Sequence, residues 1–182
     1  MRLILLPDEG LSGAGRAAHD VALAALLGGN LFGRFAMHPA LEDVSDKAER
    51  GKVLNRAWRR YGTVNSLALV ALVGGRLLAR RSEVQPWRLS PREQSLVLAK
   101  DMAVGAVVLT GLASAVGGVA FSRQVPDGAV PMESGSDTAP ETPTRAVRLK
   151  RATSTLGAAN LGSELALVLI SSWQRTRRWR RQ

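Results

Sequence analysis

The sequence predicts an all-α integral membrane protein, a four-helix bundle. Three observations carry that prediction. The stretch Met102 to Phe121 has no charged residue, and Thr110 and Ser114 are its only polar side chains. At 1.5 Å per residue, about 20 residues cover the ~30 Å hydrocarbon core of a bilayer. Three further apolar stretches share its length, at residues 17–37, 61–79 and 152–173. Lys and Arg gather just outside these stretches, where membrane proteins place them. The chain has 182 residues, 46% of them hydrophobic but only 4% aromatic, with a net charge of +10. Mean hydropathy is near zero, and the pattern resolves that average into apolar spans and charged flanks.

The spans can be justified in chain order. Leu3 to Leu6 is too short for a signal-peptide core and Pro7-Asp8-Glu9-Gly10 interrupts it, so no cleavable signal is expected. Span one, 17–37, carries His19 and Asp20 at its start and Asn30 and Arg34 further on. His38-Pro39 is expected to end it, because proline cannot continue a helix. Ser45 is placed to cap a charged helix that runs into span two, with Trp58 and Tyr61 as an interfacial aromatic belt. Span two, 61–79, holds Asn65 early and Arg76 late. Ser90 and Pro91 suit the cap and first position of the helix carrying span three, 102–121. Residues 124–144, rich in Pro, Gly, Ser, Thr and acid, read as a flexible loop. Span four, 152–173, contains a single charge, Glu164. The tail 174–182 follows, in which Arg175, Arg177, Arg178, Arg180 and Arg181 are expected to meet anionic lipid headgroups. The whole chain thus reads as one four-span domain.

Competing classes are excluded on the same pattern. A soluble four-helix bundle needs a polar face on every helix, and span three has none. The high isoelectric point invites a nucleic-acid reading, but the cations sit at span ends and no nucleic-acid motif accompanies them. The absence of cysteine removes disulfide, zinc-thiolate and thiol redox chemistry. Balanced basic residues on the two sides leave orientation to the dense tail and the Arg80-Arg81 pair, which favour both termini in the cytoplasm of a cell-membrane protein.

Ionisable groups within spans are paired or functional by default. Antiparallel spans bring the start of one, the end of two, the start of three and the end of four to one leaflet. His19, Asp20, Arg76, Lys100 and Asp101 therefore share an end, with Glu164 deeper and Asn160 one turn away from it. These residues define a candidate polar pocket, with the bland alternative that the end charges snorkel to water. Asn30, Arg34, His38, Tyr61 and Asn65 define a second candidate site toward the other end. Asn30 and Asn160 come out at similar depth and are placed to hydrogen-bond across helices. Small residues recur four apart at Ala25, Gly29 and Gly33, at Ala106, Thr110, Ser114 and Gly118, and at Ser154, Ala158, Gly162 and Ala166. Such rows allow close helix packing within the chain or in a homo-oligomer. His19 and His38 lie at opposite ends of span one, so no metal site is expected, and no cofactor or nucleophile motif appears.

The segment GGNLFGRFAMHPAL at 28–41, followed by a Trp-containing charged helix and YGTVNSLAL at 61–69, resembles the small four-span membrane proteins grouped with anthrone oxygenases. Asn160-Leu161 is a further echo of that pattern. The resemblance implies the four-span fold, and it gives Asn65, His38 and Tyr61 weight as a site for an aromatic or quinone-like substrate. Three functions then compete. The first is a structural or partner-assembly membrane protein with no assignable reaction. The second is a cofactor-independent membrane enzyme on a lipophilic aromatic or quinone. The third is a proton-coupled transporter subunit working as an oligomer, with Glu164 as the coupling group. The lipid bilayer, a membrane protein partner or a second copy are the implied partners.

Overall fold

A computed structural model describes residues 8–83 and 90–179. Four long helices build it: α1 (Asp8–Phe32), α2 (Lys47–Glu83), α3 (Pro91–Ser122) and α4 (Thr144–Trp179). Each is long and apolar enough to cross a membrane. Among the described residues β-structure is limited to one isolated bridge between Met132 and Thr138. The closest pairings are α1 with α2 and α3 with α4, with lighter contacts of α1 on α4 and α2 on α3.

Local chemistry explains the helix ends. Ser90 caps α3 in a full capping box with Glu93, and Pro91 occupies the first turn, where a missing N–H costs nothing. At α2 the cap is Asp46, whose carboxylate accepts the Glu49 amide at 2.7 Å, and not Ser45 as the sequence suggested. Pro39 does not end the first helix either. The helix widens into a π-turn over Gly33–Met37 and continues through His38–Ala40 and Leu41–Asp43. The His38 amide reaches back to the Gly33 carbonyl, so the wider register carries the helix into the turn that holds proline. The chain leaves helical geometry only at Val44.

Two cores stack along the bundle. The larger contains Ala22, Leu23 and Leu26 of α1, Leu69 and Leu72 of α2, Val104 and Val107 of α3 and Leu167 of α4. The outward surface is also apolar: Val21, Phe32, Leu67, Val70, Leu109, Val116 and Leu169 are exposed. A soluble protein of this size rarely exposes so much contiguous apolar surface. The second core lies where α2 and α4 extend past the apolar stretches. The 37-residue α2 is about 55 Å long, well beyond a ~30 Å hydrocarbon layer.

That second core corrects the expectation of a flexible loop at 124–144. Val130 and Met132 are fully buried with Leu41, Leu54, Phe121 and Ala146. Arg50 clamps the backbone beside them. Its guanidinium donates to the carbonyls of Val44 (2.6 Å), Glu42 (3.1 Å) and Glu133 (2.5 Å). Lys150 Nζ donates to the Gly135 carbonyl at 2.6 Å, and the Met132 amide to the Lys47 carbonyl at 3.0 Å. The segment is poor in apolar residues, but those few sit on a preformed apolar patch and basic side chains satisfy its carbonyls. We refer to it as the cap.

Trp58 and Tyr61 do not form an outward belt. They turn onto α1, where a Cβ at Gly29 would strike the Tyr61 ring and one at Gly33 the Trp58 ring. The Tyr61 hydroxyl donates to the Ala25 carbonyl at 2.8 Å. The Ala25–Gly29–Gly33 row thus packs inward, whereas Ser154, Ala158, Gly162 and Ala166 of α4 are all exposed.

Candidate functional site

The most buried ionisable group with a defined partner set is Glu164, on α4, with no exposure to solvent. Its Oε1 accepts from Asn30 Nδ2 of α1 at 2.8 Å and from Asn160 Nδ2 at 2.9 Å. Residues 160 and 164 share a helix face by their i, i+4 spacing. The Thr110 hydroxyl of α3 lies 2.7 Å from Asn160 Oδ1 and 2.6 Å from the Ala106 carbonyl. One polar network therefore pins α1, α3 and α4 at a single level. Glu164 Oε2 has no hydrogen-bond partner among the described residues. The Asn30 and Asn160 amides are the only groups among the described residues bonded to this carboxyl group, so no cation contacts it. Asn30 and Asn160 do meet at one depth, with the carboxyl group between them.

A second polar layer lies toward the terminal end of the bundle. Asp101 accepts from Arg76 Nε on Oδ1 and from Arg80 Nη1 on Oδ2, both at 2.8 Å. Arg76 is 4% exposed and Arg80 is 49% exposed, so one partner is a core residue and the other reaches solvent. His19 is buried and donates from Nδ1 to the Leu72 carbonyl at 3.1 Å. Lys100, Asp20 and Arg76 lie near its ring. His19, Asp20, Arg76, Lys100 and Asp101 thus gather at one end of the bundle. They do not extend into a pocket with Glu164 and Asn160. Along α1, residues 22, 23 and 26 lie between the layers, along α3 residues 104 and 107, and along α4 residue 167. All belong to the dry core.

Of the second candidate set, His38 and Tyr61 come together through Trp58, while Asn30, Arg34 and Asn65 go elsewhere. Asn30 joins Glu164. Arg34 stays exposed. His38 turns to the cap, its ring edge-on to Trp58 at 6.0 Å and its Nδ1 3.3 Å from Ser136 Oγ. Tyr61 packs edge-on to Trp58 at 5.9 Å. Asn65 makes no side-chain hydrogen bond among the described residues. Of the headgroup arginines, Arg180 and Arg181 lie outside the described residues, and of Arg175, Arg177 and Arg178 only the helical backbone is described.

Sequence reasoning missed three participants. Thr110 was visible as one of two polar residues in its span. Arg80 was visible one turn after Arg76. Arg50 carried no signal, because its partners are backbone carbonyls. No family model, curated protein or solved structure matches this chain.

Proposed function

We propose that the chain is a four-span membrane protein with a structural role, a compact bundle that assembles with a membrane partner or a second copy. The observation that supports this best is the network Asn30–Glu164–Asn160–Thr110. It uses the deepest polar groups to hold three helices to one another. Interhelical hydrogen bonds are the established use of such side chains in apolar surroundings. The outward row Ser154–Ala158–Gly162–Ala166 gives α4 a surface that another helix can approach closely. We infer in addition that both termini face the cytoplasm, from the arginine tail and the Arg80-Arg81 pair. A reporter fused after Gln182 is then active only on the cytoplasmic side.

The assembly reading is tested by cross-linking in native membranes, followed by purification and mass spectrometry. A defined partner chain or second copy is expected with the wild type, and it is lost in Gly162→Leu while the variant stays folded. Equal recovery from both would contradict assembly through α4.

One observation favours a second reading. Glu164 Oε2 is buried and unpartnered, which is an arrangement able to hold a proton. In a proton-coupled transporter, Glu164→Gln abolishes proton-linked flux in proteoliposomes. The structural reading expects no such flux to lose.

A further inference from the structure

Between the N-terminal half of α2 and the C-terminal end of α3 lies a groove of about 1070 Å³. Lys52, Arg56, Arg59, Arg60 and Arg123 line it, with Asp127 the only acid among its described lining residues. Lys52 pairs with Glu49 at 3.4 Å. Arg56, Arg59, Arg60 and Arg123 are exposed, and their guanidinium groups form no ion pair or hydrogen bond among the described residues. Four unneutralised guanidinium groups around one concavity repel one another unless an anion joins them. The far wall is fixed. Asn55 Nδ2 donates to the Gly128 carbonyl at 2.7 Å, and the turn 126–128 holds Asp127 in left-handed geometry at φ 57°.

The faces below the groove say which anion fits. On α2 the row Arg56–Arg60 continues at helical spacing into Val64 and Leu67, which are 48% and 67% exposed. On α3 the row from Arg123 continues into Val119, Val116 and Leu112, at 50%, 70% and 53%. Further down the two helices close, where Gly111 packs beside Leu69. The α3 wall is therefore cationic above and apolar below, with Val119 lining the groove itself and the change falling just outside residues 102–121. A soluble phosphate compound uses the upper part alone. An anionic phospholipid uses both.

We propose that this groove is a binding site for an anionic phospholipid, its phosphate-bearing headgroup held by Arg56, Arg59, Arg60 and Arg123 and an acyl chain lying along the exposed α3 face at Val119 and Val116. Basic pockets between membrane helices recognise headgroups in this way. The site lies on the cap side, opposite the arginine tail. It rests on the four-span reading.

The test uses the full chain reconstituted in phosphatidylcholine nanodiscs with and without phosphatidic acid, read by native mass spectrometry after mild detergent release. The wild type is expected to retain one phosphatidic acid per chain in preference to phosphatidylcholine. The triple variant Arg59→Gln, Arg60→Gln, Arg123→Gln is expected to retain it about a hundredfold less well, the scale of three basic side chains at an anionic surface. The tail variant Arg177→Gln, Arg178→Gln should retain it as the wild type does. Helix content by circular dichroism confirms that the triple variant is folded. If it does not insert, Arg123→Gln alone is measured and must still weaken retention. Equal retention by wild type and triple variant, or equal loss in the tail variant, overturns the proposal. Displacement by inorganic pyrophosphate as readily as by lipid would assign the groove to a soluble anion and overturn the lipid. A chain recovered as a soluble monomer after ultracentrifugation without detergent defeats the four-span reading itself, a result separable from insertion without lipid retention.

Discussion

Glu164 and Asp101 are two carboxylates facing the inside of one bundle, held in opposite ways. Asp101 is gripped by two guanidinium groups, one buried and one exposed. Glu164 is met by two neutral amides on one oxygen and, among the described residues, by nothing on the other. Their places explain the difference. Asp101 lies at the end of the apolar stretch, where Arg80 keeps contact with solvent. Glu164 lies mid-helix with no exposure to solvent, beyond the dry core that separates it from the end layer, where a cation would itself need a partner. The end layer is bound by charge and the middle layer by hydrogen bonds alone.

That contrast gives the predictions. The largest effect is expected for Glu164→Ala. It leaves the Asn30 and Asn160 amides without their acceptor and opens a cavity, costing about 2–4 kcal/mol of stability in detergent unfolding. Asp101→Asn comes next. It removes the charge but not the shape, and takes the Asp101 charge away from the buried Arg76 guanidinium. A loss of about 1–3 kcal/mol is expected, tempered by the exposure of Arg80 and of Asp101 itself. If Asp101→Asn is silent, charge does not hold the end layer.

The cap offers a third way to sharpen the comparison, because it too is held by a cation, there a half-buried one on backbone carbonyls. Arg50→Ala removes the clamp on Glu42, Val44 and Glu133. Limited proteolysis should then cut within 124–144 faster by roughly tenfold, with the four helices still protected, the local opening of a unit costing about 1–2 kcal/mol less.

The smallest effect is on pH. Lys47 bonded to Glu133 at 2.8 Å holds that carboxyl below its ordinary range. A depressed carboxyl stabilises the folded cap above its unfolded pKa. The contribution fades as pH falls through the lower, folded value. Exchange protection of the 132–138 amides should therefore weaken slightly on mild acidification. Glu133→Gln should abolish that dependence, and an unchanged profile in the variant would assign it elsewhere. Both side chains are largely exposed, so the effect is small.

How much of this was legible in the sequence depends on which force set each feature. Four apolar stretches were legible because they are long and nearly uncharged. The convergence of Asn30 and Asn160 was legible because helical rise is constant, so depth can be counted along each chain. The grouping of His19, Arg76 and Asp101 followed from antiparallel order. The cap was not legible. Its composition averages to a disordered segment, and the positions of Val130 and Met132 matter only against Leu54 and Phe121. The inward turn of Trp58 and Tyr61 was missed for a related reason. The slot that receives them is made by Gly29 and Gly33, far away in sequence, and by a π-turn that rotates the helix at Gly33–Met37. The pocket expected to join Glu164 to the end charges failed because periodic Leu and Val between them pack dry.

The central claim is that Glu164 holds the helices as a hydrogen-bond acceptor and not as a charge. Its most direct test is the thermal unfolding of Glu164→Gln in detergent at neutral pH, beside the wild type and Glu164→Ala. Glutamine keeps the Oε1 acceptor for Asn30 and Asn160, so its stability should stay within about 1 kcal/mol of wild type, with a midpoint close to wild type, while alanine falls well below. A glutamine variant as unstable as the alanine variant would contradict the claim and assign the role to the carboxylate charge.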